Sequence, residues 1–231
     1  MNDLNDGTRL MRFAGVAIVL VSAALGSAAC DTDSLLEVDD PDVTLSEALR
    51  DSTNLPVVRA YGIAEFGIAF GGSSTTPGAV TAGGLLADEF FHTGTFQQNR
   101  DIDKRTVGAV NGTVATVFWT LHRARRATEL GARAFERSSS STAELAELLN
   151  LAGFTYVLFA ETFCSGVPFS EQIDGRFEYG QRETTAQVRA RASARFEAAL
   201  GAAASGSGES STNQHYLARL GLARIALDEN D

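Results

Sequence analysis

The chain has 231 residues, 44% of them hydrophobic, and a formal net charge of −10. This length fits one or two domains, and this apolar content suffices for a sizeable buried core. An acidic chain lacks the clustered Lys and Arg that nucleic-acid phosphates require, so we predict no nucleic-acid partner. Since there are only two cysteines, Cys30 and Cys164, we expect no disulfide framework.

The first 29 residues have the pattern of a secretory signal. Arg9 and Arg12 precede an uncharged apolar run over 13–25, and small residues follow it. The run is shorter than the about 20 residues that a membrane-spanning helix needs, which disfavours the alternative of a retained anchor. We therefore assign 1–29 to a signal peptide, with Met11 as an alternative start.

The signal ends in the sequence SAAC, which is similar to a bacterial lipobox and places its cysteine at Cys30. We predict lipidation of Cys30; an ordinary signal-peptidase site with an incidental cysteine is the alternative. Residues 30–43 are acidic and contain Pro41, which indicates a tether. Lipid chains anchor firmly because each buried CH₂ contributes about 0.8 kcal/mol.

Residues 44–231 are predicted to form one helical domain, because apolar residues recur there at three- and four-residue steps. Helix starts are marked by capping boxes or by proline. The predicted helices run from Thr44 to about Ser52, Pro56 to Gly71, Gly112 to Arg137, Ser141 to about Gly166, Thr184 to about Ala204, and Thr212 to Glu229. The fourth of these is apolar on two faces and should be covered on both sides.

The segments between these helices are predicted to be irregular. Residues 71–84 and 205–211 are rich in turn residues, most of 85–105 shows no period, and 165–183 contains several glycines. On the 112–137 helix, the charged face, Glu129 included, is expected to be solvated. The thiol of Cys164 is expected to be buried and inert.

No segment alternates with period two, so the predicted fold class is all-α. Helices of this length suggest antiparallel helix pairs, stacked as a tetratricopeptide-like array or a bundle, with long irregular loops. The sequence contains no HExxH, P-loop, GxSxG or GxGxxG motif, and its three histidines lack ligand-like spacing. We therefore predict a protein that is not an enzyme and has no metal site and no cofactor.

One loop has the composition of a binding site. Aromatic faces and planar hydrogen-bonding groups, the two features that sugar ligands use, follow each other between 90 and 105. The candidate ligand-binding residues are Phe91, His92, Phe96, Gln97, Asn99, Arg100 and Asp103. The alternative is a loop that only packs over the helices.

Several segments together resemble the SusD/RagB family of nutrient-uptake outer-membrane lipoproteins. They are the lipobox-like Cys30 with its acidic tether, Phe118-Trp119-Thr120-Leu121 followed by Ala124 and Ala127, the residues Ala152, Tyr156, Phe159, Phe163, Gly166, Val167, Pro168 and Phe169, the helix segment Phe196-Glu197-Ala198-Ala199-Leu200, and the segment Leu217-Ala218-Arg219-Leu220-Gly221-Leu222-Ala223-Arg224. Their order along the chain follows that of the family.

The resemblance implies a helical scaffold on the outer membrane, lipid-anchored and facing the cell surface. It also implies a partner, a TonB-dependent transporter barrel of the SusC type, and an oligomeric nutrient, with a glycan as the first candidate. The alternative function is a helical-repeat scaffold lipoprotein that assembles proteins and binds no small ligand.

Family members are usually about twice this length, so the resemblance covers their N-terminal half, and we expect the chain to be short or truncated. A truncated array would leave one helix face without a partner. We therefore expect an exposed apolar patch on the last helix, around Leu222 and Ile225.

Overall fold

The computed structural model describes residues 54–138, 142–173 and 176–229. The predicted signal peptide, the lipidation site Cys30, the tether and the 44–52 helix lie outside this part of the chain. The described elements are, in chain order, α1 (Leu55–Gly71), α2 (Ala79–Leu86), α3 (Gln97–Asp103), α4 (Gly112–Ser138), α5 (Thr142–Thr162), β1 (Val167–Pro168), β2 (Glu171–Ile173), β3 (Arg176–Glu178), β4 (Arg182–Glu183), α6 (Thr185–Ala204) and α7 (Gly208–Asp228).

The prediction of a mostly helical chain is confirmed. The start of α6 shows the local reason: Thr184 and Gln187 form the predicted capping box. The Thr184 hydroxyl accepts a hydrogen bond from the Gln187 amide, while the Gln187 side chain accepts one from the Thr184 amide at 2.8 Å. Two backbone donors that the helix leaves unpaired are thereby satisfied.

Helix α5 is the centre of the core and contacts α1, α4, α6 and α7. Its side chains at Leu148, Tyr156 and Phe159 are at most 1% exposed. The prediction that this helix is covered on both sides is thus confirmed. By length and composition α5 would also be able to cross a membrane, but 67% of its apolar window is buried, as in the core helix of a globular body.

Two large side chains fix the distances between these helices, because each lies between two glycines. Leu148 of α5 lies against Gly62 of α1 and Gly131 of α4, where an added Cβ would approach it to 2.7 Å and 3.0 Å. Phe196 of α6 lies in the same way between Gly153 of α5 and Gly221 of α7. A methyl group at these glycines would overlap the ring or the leucine, so the close approach of neighbouring helices depends on them.

The structure corrects the predicted loops in three places. Residues 79–86 and 97–103, predicted to be turns and loop, form helices α2 and α3. The last helix begins at Gly208 instead of Thr212. In α2 the unfavourable helix propensity of Gly84 is offset because the ring of Phe90 packs on it, a contact that local sequence does not reveal.

The 163–184 connection is irregular, as predicted, but carries two short antiparallel ladders, β1 with β4 and β2 with β3. Val167 and Phe169, 3% and 5% exposed, attach it to the core. Cys164, at its start, is exposed; the prediction of a buried thiol is wrong, because α5 has already ended at Thr162.

The exposed apolar residues of the last helix lie on a different face from the one that the sequence predicts. Ile225 is 3% exposed and packs in the core, so the prediction is wrong for this residue. Leu222 is half-buried and lines a groove between α6 and α7. The exposed apolar row of α7 consists of Tyr216, Leu220 and Leu227, which are 65%, 61% and 73% exposed.

Candidate ligand-binding site

The candidate residues lie on the α2–α4 connection, residues 87–111, which contains the short helix α3. An ion pair closes its base: Arg105 Nη2 donates to Asp88 Oδ2 at 2.6 Å and to the Leu86 carbonyl at 2.7 Å. Both charged residues adopt the left-handed conformation, with φ of 60° and 55°, which non-glycine residues seldom do. The hydrogen bond from Arg105 lowers the pKa of the Asp88 carboxyl, and the same bond raises the pKa of Arg105.

The connection is attached to α4 through the residue that starts this helix. The Asn111 Oδ1 atom accepts a hydrogen bond from the Val114 amide at 3.1 Å, which is the geometry of an N-cap. Its Nδ2 atom donates to the Gln98 carbonyl at 3.0 Å. One buried asparagine therefore both caps α4 and holds α3 against it.

A second polar contact and one apolar anchor complete the attachment. The Thr113 hydroxyl donates to Asn99 Oδ1 at 2.7 Å. Ile102, the only large aliphatic residue of α3, is 1% exposed. The sequence of α3, QQNRDID, is otherwise polar, so this single side chain and the hydrogen bonds position the helix.

Two aromatic side chains of the connection point into solvent. Phe91 is 79% exposed and Phe96 is 72% exposed. Their neighbour Phe90 packs with one side on Gly84 of α2 and is 46% exposed. Exposed phenylalanines in a loop with a fixed backbone provide apolar faces on which a ligand ring can stack.

The polar candidates are mostly engaged within the connection. Arg100 Nη2 donates to the Gly94 carbonyl at 3.0 Å, and Gln97 Nε2 donates to Asp101 Oδ1 at 2.6 Å. Asn99 accepts from Thr113, as described above. The half-buried Asp103 contributes a negative charge that helps to raise the pKa of Arg105.

His92 has a distinct environment. Its ring lies over Gly94, and its Nε2 atom is buried without a hydrogen-bond partner among the described residues. A buried ring nitrogen without a partner costs free energy.

The candidates therefore differ in their surroundings. Phe91 and Phe96 face outward, whereas Asn99 and Arg100 hold the backbone of the connection; Gln97 is exposed but already paired. Within the described residues no group of three or more His, Cys, Asp and Glu side chains is arranged to hold a metal ion.

Sequence reasoning missed a buried polar cluster between α4, α5 and α6. Glu129, expected on a solvated face, is 5% exposed; its Oε1 atom accepts from Arg195 Nε at 2.8 Å and from the Tyr156 hydroxyl at 3.0 Å. Burial, together with the charge of Glu129, raises the pKa of Tyr156 to about 12. The prediction for Glu129 is wrong because α6 brings Arg195 across to it, a pairing 66 residues apart in sequence.

The same cluster holds the 163–184 connection. Arg125, 6% exposed, donates to the Ser170 carbonyl at 2.6 Å. The guanidinium groups of Arg125 and Arg191 lie 5.6 Å and 5.3 Å from the ring centre of Phe169. A tyrosine with a pKa of about 12 is a poor proton donor near neutral pH, and these contacts fit a structural role.

Comparison of the chain with protein-family models, with curated proteins and with solved structures finds no match.

Proposed function

We propose that the protein is a nutrient-binding lipoprotein of the SusD/RagB type, anchored to the outer membrane through Cys30 and exposed at the cell surface. In this proposal it captures an oligomeric nutrient, with a glycan as the first candidate, and delivers it to a TonB-dependent transporter barrel. It binds and transfers the nutrient and breaks no bond. The observation that carries the proposal is the pair of exposed rings, Phe91 and Phe96, on a connection whose backbone is held by hydrogen bonds.

The proposed architecture is a tetratricopeptide-like array with α1 and α4 as one pair, α5 and α6 as the next, and α7 after them. Within the first pair, Gly62 lies beside Ala127 and Glu65 bonds Arg123, so the two helices run antiparallel. In this proposal α1, α5 and α7 are the first helices of successive pairs. Of these three, α5 contacts both α1 and α7.

The direction of these first helices supports the same arrangement. Asn150 of α5 bonds Gln214 of α7, and Glu161 bonds Arg224 further along both helices, so α5 and α7 run parallel. Parallel first helices with antiparallel partners are the arrangement expected of stacked helical hairpins.

The exposure of Phe91 and Phe96 in the α2–α4 connection supports ligand capture over loop packing alone. A loop that only covers the helices would turn its aromatic rings inward, whereas Phe91 and Phe96 are 79% and 72% exposed. A phenylalanine side chain has few rotors, so ordering it when a ligand arrives costs little conformational entropy. Sugar rings and apolar peptide side chains both stack on such faces.

The direct test is a glycan-array screen followed by calorimetric titration of the full-length chain with the oligosaccharides that bind. We expect the variants Phe91→Ala and Phe96→Ala to lose affinity by about 1 to 3 kcal/mol each. The matched control is Tyr179→Ala, because Tyr179 is 83% exposed on the 163–184 connection. Equal losses from all three variants, or no binding by any glycan, would count against the proposal.

The membrane and transporter parts of the proposal need their own tests. Cys30→Ala should move the protein out of the detergent phase; unchanged partitioning would contradict lipidation. A TonB-dependent transporter encoded in the neighbouring gene should co-purify with the chain, and the absence of both the gene and the complex would contradict the partnership.

A scaffold that assembles proteins without a small ligand is the second candidate. It is favoured by the exposed row Tyr216, Leu220 and Leu227 on α7, because contiguous apolar residues on a helix are typical of protein contacts. A stable complex with the transporter, combined with no response to any glycan or peptide, would favour this second function.

A further inference from the structure

A groove with a volume of about 540 Å³ runs between α6 and α7. Its lining residues are Leu200 of α6 and, on α7, His215, Arg219, Leu222 and Ala223. The α7 residues follow one another at steps of four, three and one positions, so they lie on one face of the helix. The volume falls within the roughly 300 to 1,000 Å³ that small-molecule sites have. None of the lining residues belongs to the α2–α4 connection, so the groove is separate from the candidate glycan site.

The floor of the groove is apolar, and its polar groups lie together. Leu200 and Leu222 are half-buried and pack against the core, while Ala223 is exposed. The polar groups are the imidazole of His215 and the guanidinium of Arg219, one helical turn apart on α7. A ligand with an apolar body and one polar head matches this lining, because polar groups along its body would lose their hydrogen bonds to water over the leucines.

Among the described residues, Arg219 differs from the other arginines of α6 and α7 because it forms no ion pair. The other four are all paired: Arg189 with Asp228, Arg191 with Glu183, Arg195 with Glu129 and Arg224 with Glu161. Arg219 is exposed and lines the groove. Its charge is left to a ligand, although the chain as a whole carries a net charge of −10. The complementary head group is therefore an anion.

We propose that the groove binds an aliphatic monocarboxylate, a molecule of the fatty-acid class, with its carboxylate on Arg219 and its chain over Leu200 and Leu222. A guanidinium can donate two parallel hydrogen bonds to one carboxylate, and the His215 ring offers a further N–H donor one turn away. The lining residues include no phenylalanine, tyrosine or tryptophan, which favours a flexible chain over a planar ring as the apolar body. Burial of the chain against the leucines contributes the apolar part of the affinity.

Calorimetric titration of the full-length chain with octanoate and with 1-octanol tests the proposal. The two probes share the same chain length and differ in the head group, so the difference between their affinities measures the carboxylate contact. We expect octanoate to bind and 1-octanol to bind about tenfold more weakly, because hydrogen bonds between charged groups are the stronger ones. Equal affinities for the two probes, or no binding of octanoate, would overturn the proposal.

A charge-removing variant locates the carboxylate. Arg219→Gln should weaken octanoate binding about tenfold and leave 1-octanol binding unchanged, because only the anionic head contacts the guanidinium. The matched control is Arg182→Gln, which removes the same charge from an exposed position on β4, at the end of α6 opposite to Leu200. Equal weakening of octanoate binding by both variants would indicate general electrostatic attraction, and would overturn the proposal.

A space-filling variant locates the chain of the ligand. Ala223 is exposed, so Ala223→Trp fills the groove without disturbing the core and should abolish binding of both probes. The double variant Phe91→Ala/Phe96→Ala alters the candidate glycan site and should bind octanoate as the wild-type chain does. Undiminished octanoate binding by Ala223→Trp, or its loss in the double variant, would overturn the proposal. A wild-type dimer that Ala223→Trp dissociates would also overturn it, since a second copy would then occupy the groove.

Discussion

The helical body formed by α1 and α4–α7 is held by different interactions from those that hold the α2–α4 connection. In the body, large apolar side chains such as Leu148 and Phe196 are enclosed between glycines of neighbouring helices. In the connection, short polar contacts through Asn111, Thr113 and Arg100 fix the backbone, while two phenylalanines stay in solvent. Substitutions in the body should therefore change global stability, and substitutions of the exposed rings should change binding alone.

The largest effect is expected at Phe196. Its ring is fully buried and touches helices on both sides, so Phe196→Ala leaves a cavity at the junction of α5, α6 and α7. We expect the free energy of unfolding to fall by about 3 to 5 kcal/mol. Urea unfolding followed by circular dichroism measures it, with Phe177→Ala as the control because Phe177 is 63% exposed. A loss as small as that of the control would refute the packing described for this ring.

The next effect is expected from adding a single methyl group. Gly221→Ala forces the new Cβ into the Phe196 ring and should destabilise the protein by about 1 to 3 kcal/mol. Gly201→Ala is the matched control on α6: nothing lies within 4 Å of its added Cβ, so it should stabilise by up to about 1 kcal/mol through helix propensity. The same sign of change for both variants would contradict the role of Gly221.

An acid-dependent loss of stability is expected from His122. Its ring packs against Phe118 and Phe159 at 4.5 Å and 4.6 Å between ring centres. Burial, with a smaller contribution from the charge of Arg125, lowers its pKa from 6.5 to about 4. The folded state thus favours the neutral ring, and its contribution to stability is complete above pH 6.5 and is lost as the pH falls through 4.

The variant His122→Phe isolates this contribution, because it keeps an aromatic ring and cannot be protonated. After allowance for solvent screening, the wild-type chain should lose on the order of 2 kcal/mol more than the variant between pH 7 and pH 4. Urea unfolding at the two pH values measures the difference. Parallel pH profiles for the two proteins would show that His122 is not the group responsible.

A smaller effect is expected at the base of the connection. Asn111→Ala removes the N-cap of α4 and should cost about 1 kcal/mol. Asn111→Ser keeps a capping oxygen but cannot reach the Gln98 carbonyl, so it should preserve most of the stability while hydrogen exchange in 97–103 becomes faster. Unchanged exchange in the serine variant would show that this side chain does not hold α3.

The sequence predicts more of the secondary structure of the helical body than of the α2–α4 connection. Helices α4 and α6 have local signals, a long apolar stripe and a capping box at Thr184, that act without distant partners. Helices α2 and α3 lack such signals. The first depends on Phe90 covering Gly84 and the second on Ile102 and Asn111, so their stability comes from tertiary contacts.

The same distinction applies to the charged and candidate residues. Composition singled out a segment with aromatic and amide groups, but which of these groups face solvent depends on partners such as Thr113. Glu129 was misassigned because its partners Tyr156 and Arg195 come from two other helices. Helical spacing gives the face on which a charge lies, and only the packing of the helices decides whether that face is covered.

Calorimetric titration of the double variant Phe91→Ala/Phe96→Ala, with a glycan that binds the wild-type chain, tests the central claim most directly. The two rings are 79% and 72% exposed, so their removal should leave the free energy of unfolding within about 0.5 kcal/mol of wild type. We predict that binding is abolished in this stable variant and retained by Tyr179→Ala. Undiminished affinity in the double variant would contradict the assignment of the α2–α4 connection as the ligand-binding site.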